Sequence, residues 1–155
     1  MKMIQLGEAA ELIMGQSPPG ETYNAKGLGW PFFQGKTEFG NIHPKATKWC
    51  TEPKTLAHPG DILISVRAPV GPTNLADREC CIGRGLAAIR VKSSFDRDFV
   101  WLFLQFSENL LVKKGQGSTF ESINCDILRE LEIPDYAIEE QRQIASRLKE
   151  MMLEV

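Results

Sequence analysis

Apolar positions along this chain fall mostly in short runs bounded by turn residues, and only in two long stretches at helical spacing. Ile4 and Leu6 alternate with polar neighbours, and Glu11-Leu12-Ile13-Met14 follows after Gly7-Glu8-Ala9-Ala10. That pattern predicts strand, turn and strand, a first hairpin. Trp30-Pro31-Phe32-Phe33 reads as a short aromatic strand ending in the polar tip Gln34-Gly35-Lys36-Thr37. Pro59-Gly60-Asp61 makes a turn ahead of Ile62-Leu63-Ile64-Ser65-Val66-Arg67, the clearest strand in the sequence. A second strong strand, Leu86 to Val91, is entered through Cys81-Ile82-Gly83-Arg84-Gly85.

Helical spacing appears first after Asp96 and Asp98, either of which suits an N-cap. A helix from there through Leu111 gathers Phe99, Leu102, Phe103, Phe106 and Leu110 on one face. Lys113 and Lys114 follow at its C-terminal end, where positive charge offsets the helix dipole. Asp126 is the expected N-cap of a short turn carrying Ile127, Leu128 and Leu131, and an extended piece runs from Leu131 to Pro134. In the last helix Ile144, Leu148, Met151 and Val155 recur at spacings of four, three and four, the rhythm of a helix that packs on another helix. The pattern runs to Val155 without a C-cap, so its partner is expected outside the body or further along a longer chain.

Between these elements lie rigid or polar loops. Gln16-Ser17-Pro18-Pro19-Gly20 follows the first hairpin, residues 21–30 are polar and glycine-rich, and His43 to Lys48 is a basic run. Two prolines and a glycine stiffen Ala68 to Thr73. Short strands, mixed loops and two substantial helices give an α+β class. The order of the strands cannot be read from the pattern.

With 155 residues and ordinary composition the chain is most simply one globular domain. No apolar run approaches the roughly 20 residues that span a bilayer. Acids interrupt the apolar part of the N-terminus as they would not in a signal peptide. The expectation is a cytoplasmic protein with no membrane partner. The cysteines Cys50, Cys80, Cys81 and Cys125 form no CxxC pair and have no neighbouring histidine, so buried reduced thiols are expected and no metal site.

Net charge is −2, yet it is unevenly spread. Residues 1–119 hold 14 Lys+Arg against 11 Asp+Glu, and residues 120–155 hold 4 against 9. A mildly basic body and an acidic tail suit a body that meets phosphates and a tail that meets protein.

Candidate chemistry for catalysis is thin. His43 and His58 each precede a proline, and nothing nearby supports a Ser-His-Asp arrangement, so a small hydrolase is the weaker reading. Gly83-x-Gly85 precedes a strand where a dinucleotide fold needs a helix, and no Walker A Lys-Ser/Thr pair is present. What recurs is hydrogen-bonding residues at loop tips. Gln16 and Ser17 follow the first hairpin, Gln34 and Lys36 end the aromatic strand, and Arg67 and Asn74 bracket the proline-rich loop. Arg84 lies between two glycines, and Lys113, Lys114, Gln116, Ser118 and Thr119 follow the long helix. Arg and Lys can read guanine, Gln and Asn can read adenine, and hydroxyls and glycine N–H groups suit phosphates. Taken singly, each is also an ordinary solvated turn residue; their recurrence after successive elements raises the set.

Four local patterns together resemble the target recognition domain of the specificity (S) subunit of type I restriction–modification systems. They are Leu6-Gly7-Glu8 through Gly15-Gln16-Ser17-Pro18, the Trp30-Pro31-Phe32-Phe33 strand, and Pro59-Gly60-Asp61-Ile62-Leu63-Ile64-Ser65. The fourth is Gly117-Ser118-Thr119 followed by Ile133-Pro134 and Glu140-Gln141-Arg142-Gln143-Ile144. They run in order across nearly the whole chain. The family usually shows Pro-Leu-Pro-Pro before the Glu-Gln, where this sequence has Ile133-Pro134-Asp135-Tyr136-Ala137-Ile138.

The resemblance implies a non-catalytic protein with a target recognition domain over residues 1–136 and the start of a conserved spacer helix over 137–155. Such a domain reads one half of a bipartite double-stranded DNA site. A full specificity subunit carries two, so the chain resembles a half-subunit or a fragment. The helices set the spacing and bind methyltransferase (M) subunits, and a restriction (R) subunit joins them. Cofactors are expected on those partners, S-adenosylmethionine, ATP and Mg, and none in this chain. Type IIB-like systems use related subunits and are not separated from type I by these motifs. A further reading, from the heptad positions alone, is an assembly module that pairs as a homodimer through the C-terminal helix.

Overall fold

The structure, a computed structural model, describes residues 2–108 and 122–153. The elements run β1 (Met3–Gln5), α1 (Leu6–Ala9), β2 (Ala10–Met14), β3 (Tyr23–Asn24), β4 (Trp30–Phe33), β5 (Trp49–Cys50) and β6 (Leu56–Ala57). They continue as β7 (Ile62–Ser65), β8 (Thr73–Leu75), β9 (Cys80–Ile82), β10 (Leu86–Val91), α2 (Arg97–Phe106), α3 (Cys125–Arg129), β11 (Glu132–Pro134) and α4 (Ile138–Leu153). The α+β expectation holds. No helix among the described residues is long and apolar enough to cross a membrane.

The centre is a four-stranded antiparallel sheet in the order β2-β10-β7-β8. Its two inner strands are buried on both faces, which is why both read as nearly unbroken apolar runs. Ile62 and Ile64 of β7, with Ala87 and Ile89 of β10, face the helices and join Val100, Leu104, Leu128 and Ala145. Leu63, Leu86 and Ala88 face the other way, onto Phe33, Ala57 and Ile82. Those residues belong to a five-stranded sheet, β3-β5-β4-β9-β6, in which β4 and β9 are parallel. The body is therefore helices, sheet and sheet in three layers.

The expected first hairpin does not form. β1 pairs with β11, Ile4 opposite Ile133, and β2 pairs with β10. The four-residue connection is the helical turn α1, which buries Leu6 and Ala9 in the core instead of exposing a tight turn. The Ile-Pro element near the C-terminus thus closes a two-stranded ribbon with the N-terminus.

Of the two possible caps for α2, Asp96 is used: its carboxylate accepts from Phe99 N–H at 3.0 Å. Asp98 instead pairs with Arg97 and Lys149. The buried arc of α2 differs from the expected face. Phe106 is 69% exposed, while Val100, Trp101 and Leu104 are buried. A helix packed between a sheet and α4 needs a wider apolar arc than one resting on a single surface. Leu110 lies outside the described residues. α3 is capped by Asn124, whose Oδ1 accepts from Ile127 N–H at 2.9 Å, not by Asp126, which pairs with Arg129.

α4 corrects the largest expectation about packing. Ile144 and Leu148 rest against the domain's own core, and Ala145 between them is 3% exposed. Met151 is 61% exposed, and Val155 lies outside the described residues. So the first half of the seam is filled from within. Gln141 fixes the start of this docking. It is fully buried, its Oε1 accepts from Asp96 N–H at 2.8 Å, and its Nε2 donates to the Tyr136 carbonyl at 2.8 Å.

Candidate nucleic-acid interface

At one end of the two sheets, the ends of β2, β4, β7 and β9 and the start of β10 converge, because their registers bring them there. Met14 pairs with Ala87, Ser65 with Leu86, and Phe33 lies parallel to Ile82. Backbone bonds tie the emerging loops together. Gln16 N–H donates to Ile82 O at 3.1 Å, Gly85 N–H to Gln34 O at 2.9 Å, and Val66 N–H to Gly85 O at 2.9 Å. Approach this close excludes a side chain at the crossing: a Cβ on Gly85 would lie 2.6 Å from the Gln34 carbonyl oxygen.

This end of the domain carries six of the residues singled out from the sequence. Gln16, Gln34, Lys36, Arg67 and Arg84 are exposed and Ser17 is half-buried. Arg67 stands at the start of a loop held from beneath by Ser65, which is 2% exposed. Ser65 Oγ lies 2.9 Å from the Arg67 carbonyl and 2.7 Å from that of Pro69, its one hydroxyl hydrogen shared between them. The chain returns to the same loop from the C-terminal side, where Ile123 N–H donates to Val66 O at 2.9 Å.

Some basic side chains are paired within the fold and others are not. Arg78, Arg90, Arg97, Arg129 and Arg142 are ion-paired. Lys36, Arg67 and Arg84 have no ion-pair partner among the described residues, and neither do Lys26, Lys45, Lys48, Lys54, Lys92 and Arg147. A cation held on a rigid loop without an internal partner is free to meet a phosphate or a base edge.

Not every candidate is brought here. Asn74 is 1% exposed, and its amide is consumed inside the fold: Oδ1 accepts from Gly40 N–H at 2.9 Å, and Nδ2 donates to Gly40 O and Thr73 O at 3.0 and 2.8 Å. It staples the 36–42 loop to β8 and has no group left for DNA. Lys113, Lys114, Gln116, Ser118 and Thr119 lie outside the described residues. Ser65 and Gln141 were missed as organising residues. Each was legible as a polar residue within an apolar run or within a motif, but only burial shows what it holds.

Elsewhere, His43 Nδ1 is 2.8 Å from the Leu75 carbonyl, and His58 Nδ1 is 3.5 Å from Glu79 Oε2. Neither imidazole is paired with a hydroxyl or thiol among the described residues. The described residues contain no cluster of three or more His, Cys, Asp or Glu able to hold a metal ion. Cys50, Cys80 and Cys81 are buried, as expected, but Cys125 is half-buried and takes a contact from Arg129 Nη2 at 3.2 Å. Burial pushes the Cys50 and Cys80 thiols up to about 12, with the neighbouring Cys81 adding to the rise.

Over residues 1–153 the sequence matches the family described as the type I restriction modification DNA specificity domain. The chain belongs to this family. A related protein of Methanocaldococcus jannaschii, assigned as the specificity subunit of a type I restriction enzyme, MjaX, is 44% identical over 96% of this chain and 36% of its own length. Two solved structures carry the same specificity-domain fold at 46% identity. One is the HsdS subunit from Thermoanaerobacter tengcongensis, with a TM-score of 0.90 over 99% of this chain and 37% of that one. The other, solved in work on complex assembly and conformational transition of the type I R-M system, has a TM-score of 0.92 over 99% and 38%. This specificity domain thus spans little more than a third of the length of these relatives.

Proposed function

We propose that this chain is a target recognition unit that reads one half of a bipartite duplex DNA site through the loops gathered at the end of its two sheets. The observation that carries the reading is the convergence there of Gln16, Ser17, Gln34, Lys36, Arg67 and Arg84, donor-rich and without internal ion pairs, in a member of a DNA specificity family. Residues 1–136 form the reading body and residues 137–155 begin the spacer helix. The chain does no bond-breaking itself. It directs methyltransferase subunits, and with them a restriction subunit, to the site; S-adenosylmethionine, ATP and Mg belong to those partners. The packing of Ile144 and Leu148 inside the domain disfavours the alternative of a module built chiefly for self-pairing.

The test is the methylated motif of the assembled methyltransferase complex carrying this chain, with duplex affinity measured against salt. Each of Arg67→Ala and Arg84→Ala should either flatten one position of the motif, at roughly 1–3 kcal/mol, or reduce the salt slope by about 1. Arg78→Ala, remote from the loops, should do neither. A wild-type complex that methylates no defined motif, or variants that bind and methylate as wild type does, would refute the reading.

A further inference from the structure

Within the loop cluster, one side-chain amide is clipped at its oxygen end. Ser17 Oγ lies 3.1 Å from Gln34 Oε1 and, at a longer 3.4 Å, from Arg84 N. The backbone N–H of Arg84 can only donate, so Ser17 Oγ accepts from it and turns its own hydrogen to Gln34. With Oε1 facing the serine, the chain runs Arg84 N–H to Ser17 Oγ–H to Gln34 Oε1. A reversed amide would donate to the second lone pair of Ser17 Oγ and present Oε1 outward; the orientation in the structure presents Nε2. Gly83 provides the floor. A Cβ there would lie 2.8 Å from Gln34 Oε1 and 3.1 Å from Gln34 Cα, so the amide rests on bare backbone. The main chain of Gln34 is held as well, by Gly85 N–H on its carbonyl at 2.9 Å. Gln34 is nevertheless exposed, and its Nε2 has no partner among the described residues.

A long flexible amide at a surface usually samples many rotamers, and ordering it on binding costs free energy. Here three neighbours from two other loops have ordered it beforehand. They orient one atom, the donor Nε2, away from the clip.

Building on the DNA-reading proposal above, we infer that Gln34 is a specificity-determining residue that donates from Nε2 to an acceptor on a base edge, and that Ser17 is its positioning residue. The acceptors available in the major groove are purine N7, guanine O6 and thymine O4. Oε1 keeps one lone pair after accepting from Ser17, so an adenine, N7 accepting and N6 donating, satisfies both ends of the amide. Adenine is the base it fits best. Cytosine, whose major-groove edge presents only the N4 donor, is the base it rejects.

The experiment is selection of the methylated or bound motif from a randomised duplex by the assembled complex, for wild type, Gln34→Glu, Ser17→Ala and Ser17→Thr. Gln34→Glu exchanges the donor for an acceptor, so one position of the motif should move from an acceptor-bearing base to cytosine, by roughly 5- to 150-fold in relative preference. Ser17→Ala should flatten that same position and leave the others sharp, with the salt dependence of binding unchanged. Ser17→Thr, which keeps the hydroxyl, should restore it. A merely structural serine would weaken every position together and would lower the melting temperature of the free protein.

If wild type selects a sharp motif but Gln34→Glu and Ser17→Ala change no single position, or weaken all positions equally, this inference is overturned and DNA reading stands. If wild type selects no motif at all, DNA reading fails and the inference fails with it.

Discussion

Gln141 offers the most direct test of how the C-terminal helix α4 is joined to the body. The substitution Gln141→Leu keeps the volume of the side chain and removes both amide bonds, to Asp96 N–H and to Tyr136 O, each 2.8 Å long. The site is fully buried, so water cannot replace the amide. Asp96 N–H then lacks its acceptor, at about 1–3 kcal/mol, and the second bond adds about 1 kcal/mol, for roughly 2–4 kcal/mol in all. Against a typical domain stability of about 5–15 kcal/mol that is a large fraction. Urea unfolding followed by tryptophan fluorescence should show a lower midpoint with an unchanged slope. Gln141→Glu adds a check on mechanism. A carboxylate still accepts from Asp96 N–H but opposes the Tyr136 carbonyl, whereas its protonated form can donate there. The folded state therefore raises the pKa of this glutamate, and the variant should lose stability as pH rises from about 4.3, its unfolded value, and regain it in acid. A Leu variant within about 0.5 kcal/mol of wild type, or a Glu variant indifferent to pH, would refute the latch.

Three further outcomes follow from particular contacts. Asp61 is 3% exposed and accepts from Arg90 Nε and Nη2 at 3.0 and 2.8 Å and from His58 N–H at 2.8 Å, so Asp61→Ala should cost about 3–5 kcal/mol in chemical denaturation, and adding Arg90→Met should recover much of it. Burial alone would raise the Asp98 carboxyl, but hydrogen bonds from Lys149 and Arg97 outweigh it and hold the group below the usual carboxylate range. Its stabilisation is therefore complete above the unfolded pKa of about 3.9 and lost as pH falls through the folded value, so the protection of amides around Lys149, taken relative to their intrinsic exchange rate, should fall below pH 4, and not in Asp98→Asn. A brief exposure of the native protein to iodoacetamide at neutral pH should label Cys125 and spare Cys50, Cys80 and Cys81, which become reactive only on unfolding; rapid labelling of Cys80 would contradict its burial.

What the sequence revealed and concealed divides along the range of the interactions. β7 and β10 were legible because a strand between two layers is apolar throughout, β4 because its aromatic residues Phe32 and Phe33 are buried in separate clusters, and the cap at Asp96 because an Asn or Asp before a helix acts locally. The hairpin expected across Gly7–Ala10 was wrong because nothing local says that Ile4 pairs with Ile133, across most of the chain. The interface was half legible. Glutamine, lysine and arginine at loop tips were visible as types, but their convergence depends on two stacked sheets whose strands end side by side. Asn74 has the same chemistry and the same kind of position in the sequence as Gln34. Only its three bonds to the backbone of Gly40 and Thr73 show that it serves the fold. The heptad positions misled for a related reason: spacing reports that a helix has an apolar stripe, not whose surface covers it.

The way α4 leaves the body decides how the proposed reading would be used. A helix tethered by a flexible loop would leave the distance between two reading bodies undefined. α4 is not held that way. Gln141 ties its first turn to the cap of α2, Ala145 is buried against the core with Ile144 and Leu148 beside it, and Lys149 reaches Asp98 at the start of α2. Contacts at 141, 145 and 149 lie one turn apart along one face, over about 12 Å of helix. The direction in which the helix leaves is therefore set by the same body whose sheets carry Gln34, Arg67 and Arg84 at their far ends. β7 and β10 join the two functions: the helices pack on one of their faces, and their ends position the loops. On the proposed reading, a change in how α4 sits would alter the placement of the partner's half-site while leaving the bases read by this domain unchanged. Gln141→Leu should then disturb the spacing between half-sites, and Ser17→Ala the letters within one of them.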